Sequence, residues 1–127
     1  MATLTSYQQK DIPLMQFSTL SNFTFTLKDS NNVPINLTGA TVYFCLKKDI
    51  DAENADAEMF KVITLHSDPL NGITTIEFTD GDWDFDLVAD DNGNFTYWYA
   101  IAFVLADGRR DTAFWGKATV IKCPVKL

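Results

Sequence analysis

Apolar and polar residues alternate along much of this chain, which is the pattern of a β-strand with one buried face. The clearest run is Phe23–Leu27, where threonines separate three large apolar residues. A turn is predicted at Asp29–Pro34, because Asp, Ser and Asn bond their own backbone and Pro34 has no amide proton for a central strand. A second strand is therefore predicted at Thr41–Lys47.

Four more strands are predicted in the rest of the chain: Phe60–Leu65, Ile73–Phe78, Phe95–Leu105 and Thr112–Ile121. Dense turn formers at Asp68–Gly72 predict that the first two of these strands form a hairpin. The acidic stretch Asp49–Glu58 is predicted to be a solvated loop with a short helical turn at most. Thr79–Val88 is ambiguous, because Thr79 and Asp82 fit a capping box while Trp83, Phe85 and Leu87 alternate with aspartates as in a strand; a short helical turn or loop is the preferred prediction.

The predicted strand Phe95–Leu105 is apolar on both faces. Its side chains alternate, with Tyr97 and Tyr99 on one face and Trp98 and Ala100 on the other. An open antiparallel sheet usually has one wet face, so the second face of this strand is predicted to be covered. The cover is the N-terminal segment, a loop or another subunit.

Several short strands separated by turn residues, without a long helix, predict an all-β fold. The specific expectation is a single antiparallel β-sandwich of immunoglobulin-like type with an N-terminal arm. Residues 1–21 form the arm and residues 22–127 form the β-sandwich domain.

The arm contains an apolar patch without a clean period, made of Ile12, Leu14, Met15 and Phe17. These side chains are candidates for contacts with another protein. The alternative is that the arm packs along its own domain as an irregular edge strand.

The turn and strand motifs together resemble a known family. The order strand, D-S-N-N-x-P turn, I-N-L-T-G-A-T-V, strand, K-K is similar to the amino-terminal domain of phage baseplate upper proteins and related virion proteins. The likeness covers about Phe23 to Ile121 and continues through further turn motifs: Asn71-Gly72-Ile73, Asn92-Gly93-Asn94-Phe95-Thr96-Tyr97, Asp107-Gly108 and Gly116.

This resemblance implies a non-enzymatic structural component of a tailed-phage virion, in the baseplate, in the tail or associated with the capsid. Its partners would be other virion proteins, and it would form a homo-oligomer in the assembled particle. Its location would be the virion, which is assembled in the host cytoplasm.

Length and charge limit the possible functions. The chain has 127 residues, of which 46% are hydrophobic, enough for one domain with its own core. Ten basic residues against 17 acidic ones give a net charge of −7, which disfavours nucleic-acid binding. The first ten residues lack the apolar region of a signal peptide, and no apolar run is long enough to span a bilayer, so we expect the chain to remain in the cytoplasm and to bind no membrane.

The cysteines predict neither a metal nor a redox site. Cys45 and Cys123 are far apart in sequence and lack CxxC spacing, so free thiols are expected. A bridge between them would require neighbouring strands and an oxidising compartment. No cofactor is expected.

His66 is the one histidine, and Ser67 and Asp68 follow it. Together they have the composition of a catalytic triad. Adjacent residues on a turn point in different directions, and no oxyanion-hole motif accompanies them, so we expect no catalysis there.

Calcium could use the carboxylates of Asp80, Asp82, Asp84 and Asp86. Their spacing departs from the EF-hand pattern, because Phe85 occupies the glycine position. The other interpretation is a solvated acidic loop, and no metal is expected.

Trp98 and Trp115 are further candidates for an interface with another protein. Together with Tyr97 and Tyr99 they could instead form an aromatic platform for a sugar. The alternative function is therefore a carbohydrate- or receptor-binding β-sandwich module, although aromatic residues spaced along strands favour packing in a core or an interface.

Overall fold

The computed structural model describes residues 2–5, 8–9, 11–15 and 23–122, in which nine strands form two β-sheets. The strands are β1 Ala2–Thr5, β2 Gln8–Gln9, β3 Ile12–Met15, β4 Phe23–Thr26, β5 Thr41–Lys47, β6 Met59–Ile63, β7 Ile73–Ile76, β8 Thr96–Val104 and β9 Arg110–Ile121. Short 3-10 helices occur at Asn54–Asp56, Pro69–Asn71 and Asp80–Trp83. The described part of the chain is therefore mostly β, as predicted.

The strands are divided between a small and a large sheet. The small sheet has the order β1-β4-β7, and the large sheet has the order β2-β9-β8-β5-β6, with β3 also paired to β9. Strands β4 to β9 pair in antiparallel fashion. By contrast, β1 is parallel to β4, and β2 and β3 are parallel to β9, so the chain begins in the small sheet and crosses to the large one.

The N-terminal segment adds strands to both sheets, which changes the role of two interface candidates. Ile12 and Leu14 are paired with Ala118 and Val120 of β9, and they are only 4% and 2% exposed. Their alternation buries them in the core of their own chain, as in the edge-strand alternative, so they are not free for another protein while β3 is in place.

Two other interface candidates have side chains outside the described part of the protein. They are Met15 and Phe17. The backbone of Met15 is described but its side chain is not, and Phe17 lies outside the described residues.

The hairpin predicted from the turn formers at Asp68–Gly72 is wrong. Strand β6 pairs with β5 in the large sheet, whereas β7 pairs with β4 in the small sheet. The turn residues form the 3-10 helix Pro69–Asn71, which is capped by Gly72 with φ of 71° and carries the chain from one sheet to the other. Only glycine fits there, because a Cβ would lie 2.5 Å from the carbonyl oxygen of Leu27.

Aromatic side chains join the two sheets in a β-sandwich-like arrangement. The ring of Phe25 in β4 lies 5.4 Å from that of Phe114 in β9, and Phe44 of β5 lies 5.8 Å from Phe78. Trp83 extends this cluster from the loop side, with its ring 5.9 Å from Phe78. These rings are buried, so one core lies between the sheets.

The prediction of a short capped helical turn after β7 is confirmed. Asp80–Trp83 is a 3-10 helix, and Thr79 and Asp82 form a reciprocal capping box. The acidic stretch Asp49–Glu58 likewise contains only the 3-10 helix Asn54–Asp56. None of the helices in the described residues has the length and apolar character needed to cross a membrane.

Candidate protein interface on the large sheet

The side chains of β5, β6, β8 and β9 that point away from the core form one surface, which we call the outer face. Along β8 the burial alternates, with Tyr97 and Tyr99 buried and Trp98 and Ala100 half-buried. The same alternation occurs along β5. The central members of the outer face are Tyr43, Cys45, Lys47, Phe60, Val62, Trp98, Ala100, Ala102, Trp115 and Lys117.

Strand register arranges these residues in rows across the sheet. One row crosses all four strands, because Cys45 is paired with Phe60 on one side and with Ala100 on the other, and Ala100 is paired with Trp115. Since directly opposite side chains on one sheet face contact each other, this row is a continuous apolar band.

Neighbouring rows extend the band. Tyr43 is paired with Val62 and with Ala102, and its ring stacks on Phe60 with 5.9 Å between centroids. On the other side of the band, Trp98 lies between Lys47 and Lys117 in the register. The outer face therefore has an apolar centre and a basic border.

Several large apolar side chains of the outer face remain in contact with solvent. Trp115 and Phe60 are each 41% exposed, and Val62 is 55% exposed. The second face of β8, predicted to be covered, is half-buried. A contiguous exposed apolar surface of this kind is typical of a protein interaction site.

A small pocket opens in the outer face between Trp98 and Trp115. Its volume is about 150 Å³, and Cys45 and Ala100 form part of its lining. Burial raises the pKa of the Cys45 thiol, an effect that the Lys47 ammonium only partly offsets, so the site favours the neutral thiol over the thiolate. Cys45 is a free cysteine, as predicted, and Cys123 lies outside the described residues.

The loop after β5 forms one side of this pocket. Lys47 donates hydrogen bonds from Nζ to the carbonyl oxygen of Ala52, at 2.6 Å, and to Oδ1 of Asn54, at 3.2 Å. These bonds hold the loop against the end of the strand. They place Ile50 at the pocket rim, where it is 58% exposed.

Charge on the outer face has the opposite sign from the chain as a whole. The net charge is −7, yet no carboxylate occurs at the outward positions of β5, β6, β8 and β9. Lys117 places Nζ 5.6 Å from the centre of the Trp98 ring. Asp11 borders the face, and its carboxylate accepts a hydrogen bond from the main-chain N–H of Lys117 at 3.0 Å.

Of the four aspartates considered for calcium, Asp82 bonds neighbouring groups, whereas Asp80, Asp84 and Asp86 are exposed. Oδ2 of Asp82 lies 2.6 Å from Nζ of Lys61 and also accepts a hydrogen bond from the main-chain N–H of Thr79. Across the described residues, no group of three or more His, Cys, Asp or Glu side chains is arranged to hold a metal ion. Asp82 is therefore a capping and ion-pairing residue.

The triad-like sequence at His66 is part of the framework. Nε2 of His66 lies 2.8 Å from the carbonyl oxygen of Ala40 and therefore donates to it, while Nδ1 pairs with the hydroxyl of buried Thr74. Ser67 instead bonds Thr75. The ring of His66 thus joins the start of β5 to β7.

Sequence reasoning identified Trp98 and Trp115 but missed the other half of the outer face. Tyr43, Cys45 and Phe60 were not among the interface candidates. A signal was present, since Tyr43 and Cys45 alternate with buried Phe44 in β5 and so had to point outward. Only the sheet order placed them beside the two tryptophans.

No family model matches this chain, and no curated protein is significantly similar to it.

Proposed function

We propose that this protein is a non-enzymatic structural component of a tailed-phage virion that acts through protein–protein contacts made by its outer face. The observation that carries this proposal is an apolar, carboxylate-free sheet face on an otherwise acidic protein. The virion location, in a baseplate, in a tail or on a capsid, comes from the resemblance of the turn and strand motifs. Its partners are other virion proteins, it needs no cofactor, and it assembles in the host cytoplasm.

The physical character of the outer face suits a stable contact between proteins. Trp, Tyr and Phe are enriched at the centres of interfaces, where they bury a large area at a low cost in conformational entropy. Trp115 and Phe60 lie in the same cross-strand row, and the lysines lie beside it. This pattern of apolar centre and charged border is the general anatomy of a protein interface.

We further propose that the fold is of immunoglobulin-like type. Strands β4 and β7 facing β5, β8 and β9 match strands B and E facing C, F and G, and β6 takes the place of C′ in variable domains. Tyr97, near the start of β8, accepts a hydrogen bond from the main-chain N–H of Val88 and so ties the preceding loop to this strand. The chain departs from antibody domains at β5, where Phe44 is buried and no tryptophan occurs.

Turn geometry also supports the resemblance. Asn32 in the D-S-N-N-x-P turn has φ of 63°, and Gly93 in the Asn92-Gly93-Asn94 motif has φ of 80°. These are left-handed conformations, which Asn and Gly adopt most readily. The motif residues thus have the conformations that their residue types favour.

The experiment combines localisation with a surface variant. Mass spectrometry of purified particles of the phage that encodes this chain should detect its peptides in stoichiometric amounts. In size-exclusion chromatography with light scattering, the chain should co-elute with a virion protein, and Trp115→Glu should abolish this. Leu70→Glu, which changes a side chain that is 70% exposed in a 3-10 helix, is the matched control and should co-elute normally. Particles without the chain would contradict the proposal.

A sugar-binding module is the second candidate, favoured by the pocket between Trp98 and Trp115. Flat aromatic rings stack on sugars, and the pocket has about the volume of one small ring, roughly 150 Å³. Saturable quenching of tryptophan fluorescence by a sugar, lost in Trp98→Ala, would favour this candidate over a structural role.

A further inference from the structure

We propose that the outer face receives a second copy of this chain, in a two-fold symmetric dimer in which Ile50 of each protomer enters the pocket between Trp98 and Trp115 of the other. This inference rests on the proposed function and names the occupant of the interface. Its basis is that one surface carries both an apolar projection with acidic neighbours and an apolar pocket with a basic neighbour.

An apolar projection and an apolar pocket occur side by side. Ile50 is 58% exposed at the rim of the pocket of about 150 Å³ between the two tryptophans. A cavity of about this volume lined by apolar groups holds a small hydrocarbon such as benzene, so an isoleucine side chain fits it. Ile50 lines its own pocket from the rim without filling it, which leaves the space for a side chain from elsewhere.

Charges are arranged in the same complementary way. Ile50 lies between Asp49 and Asp51, which are exposed, and the pocket lies next to Lys117 on the outer face. In the described part of the chain, Lys117 forms no salt bridge. An acidic loop tip entering the pocket would bring carboxylates to an ammonium group that forms no salt bridge within the described residues.

Two-fold symmetry satisfies both features at once. In an isologous dimer the same patch is used on both subunits, so each contact between a projection and a pocket is made twice. Because Ile50 borders the pocket, an axis through the pocket rim brings the Ile50 side chain of each copy to the pocket of the other. A foreign partner would have to supply an apolar side chain flanked by carboxylates, which this chain already carries.

Sedimentation velocity of the full chain over a range of concentrations tests the dimer. The parent chain should shift from monomer to dimer as concentration rises. Ile50→Asp should weaken the dimer about tenfold or more, because it places a charge in an apolar pocket. Leu70→Asp makes the same chemical change at another exposed apolar residue and should dimerise like the parent. Circular dichroism and thermal melting establish that each variant is folded.

A charge exchange gives a second test that a general loss of stability would not mimic. Lys117→Glu should weaken the dimer, and Asp51→Lys added to the same chain should restore it. Asp51 is changed rather than Asp49, because the carboxylate of Asp49 accepts a hydrogen bond from the main-chain N–H of Asp51 and so stabilises the loop. The carboxylate of Asp51 is not part of this bond. Failure of the second change to rescue the first would overturn the proposed pairing.

The outcomes separate this inference from the proposed function. If the chain stays monomeric at every concentration, yet co-elutes with a virion protein through Trp115, the proposed dimer is wrong and the virion role remains. A dimer that is insensitive to Ile50→Asp also overturns the inference. A dimer that depends on Ile50, in a protein absent from phage particles, supports the inference and removes the virion role.

Discussion

Lys61 of the edge strand β6 points toward the core side and forms a salt bridge to Asp82, with 2.6 Å between Nζ and Oδ2. Both side chains are mostly buried, at 18% and 17% exposure. The bond ties the edge of the large sheet to the capped 3-10 helix that carries Trp83. A charge pointing inward from an edge strand also disfavours uncontrolled strand pairing, since a further strand would have to cover it.

Replacing Lys61 tests this link. Lys61→Met should lower the free energy of unfolding by about 1.5–3 kcal/mol, because it removes a charged hydrogen bond in a largely buried site. The control is Arg109→Met, whose bridge to Asp107 is exposed at 77% and 56% and should matter by less than about 1 kcal/mol. Urea denaturation measures both. Equal losses in the two variants would mean that burial of the Lys61 bridge has no effect on stability.

Gly72 is expected to tolerate no side chain. Gly72→Ala should destabilise the protein by about 2–5 kcal/mol, the sum of left-handed strain and of the 2.5 Å approach to the Leu27 carbonyl oxygen. Gly93 has a similar φ of 80°, but no heavy atom lies within 4 Å of the point that a Cβ would occupy, so Gly93→Ala should lose only the strain, about 1–2 kcal/mol. Chemical denaturation of both variants measures the difference, and equal losses would refute the close-approach argument.

Trp83 is 3% exposed, and its Nε1 is a buried donor that finds no hydrogen-bond partner among the described residues. Trp83→Phe should therefore change stability by less than about 1.5 kcal/mol, because removing an unsatisfied N–H offsets the lost volume. Trp83→Ala, which also removes the ring contacts, should cost about 3–5 kcal/mol. Thermal melting compares the two, and a phenylalanine variant as unstable as the alanine variant would show that Nε1 is satisfied in solution.

Tyr99 should make the protein sensitive to alkali. Burial raises the pKa of Tyr99 from 10.0 to about 12, and the carboxylate of Asp11 acts in the same direction. The unfolded chain ionises this phenol first, so the stability contribution is complete below pH 10 and is lost as the pH rises to about 12. An absorbance titration of phenolate should show a late transition that disappears in Tyr99→Phe. Persistence of that transition would assign it to another tyrosine, such as Tyr97, whose pKa burial also raises.

Local patterns predicted the individual elements well. Strand β5 has the predicted bounds Thr41–Lys47, and β8 differs from its prediction by one residue at each end. The capping box at Thr79 was also predicted. Each of these features depends on residues a few positions apart, whose side-chain alternation or backbone bonding can be read directly from the chain.

Pairing partners were not predictable in the same way. Turn formers between β6 and β7 show where the chain changes direction, but either sheet could accept each strand. Ile12 and Leu14 became core residues because β9, about a hundred positions later, offers them a free edge. Such contacts depend on which edges and apolar faces remain unpaired once the rest of the chain has packed.

By itself, the sequence determined the all-β character, the turns and the alternating faces of the strands, because these follow from neighbouring residues and backbone sterics. The tertiary structure alone decided that Cys45, Ala100 and Trp115 form one row with Phe60 and that Ile50 stands at the rim of the resulting pocket. The physical reason is that a strand apolar on both sides has no intrinsic preference for its outward neighbours. These outward neighbours follow from the strand order, which is set by the burial of the inner faces of the sheets.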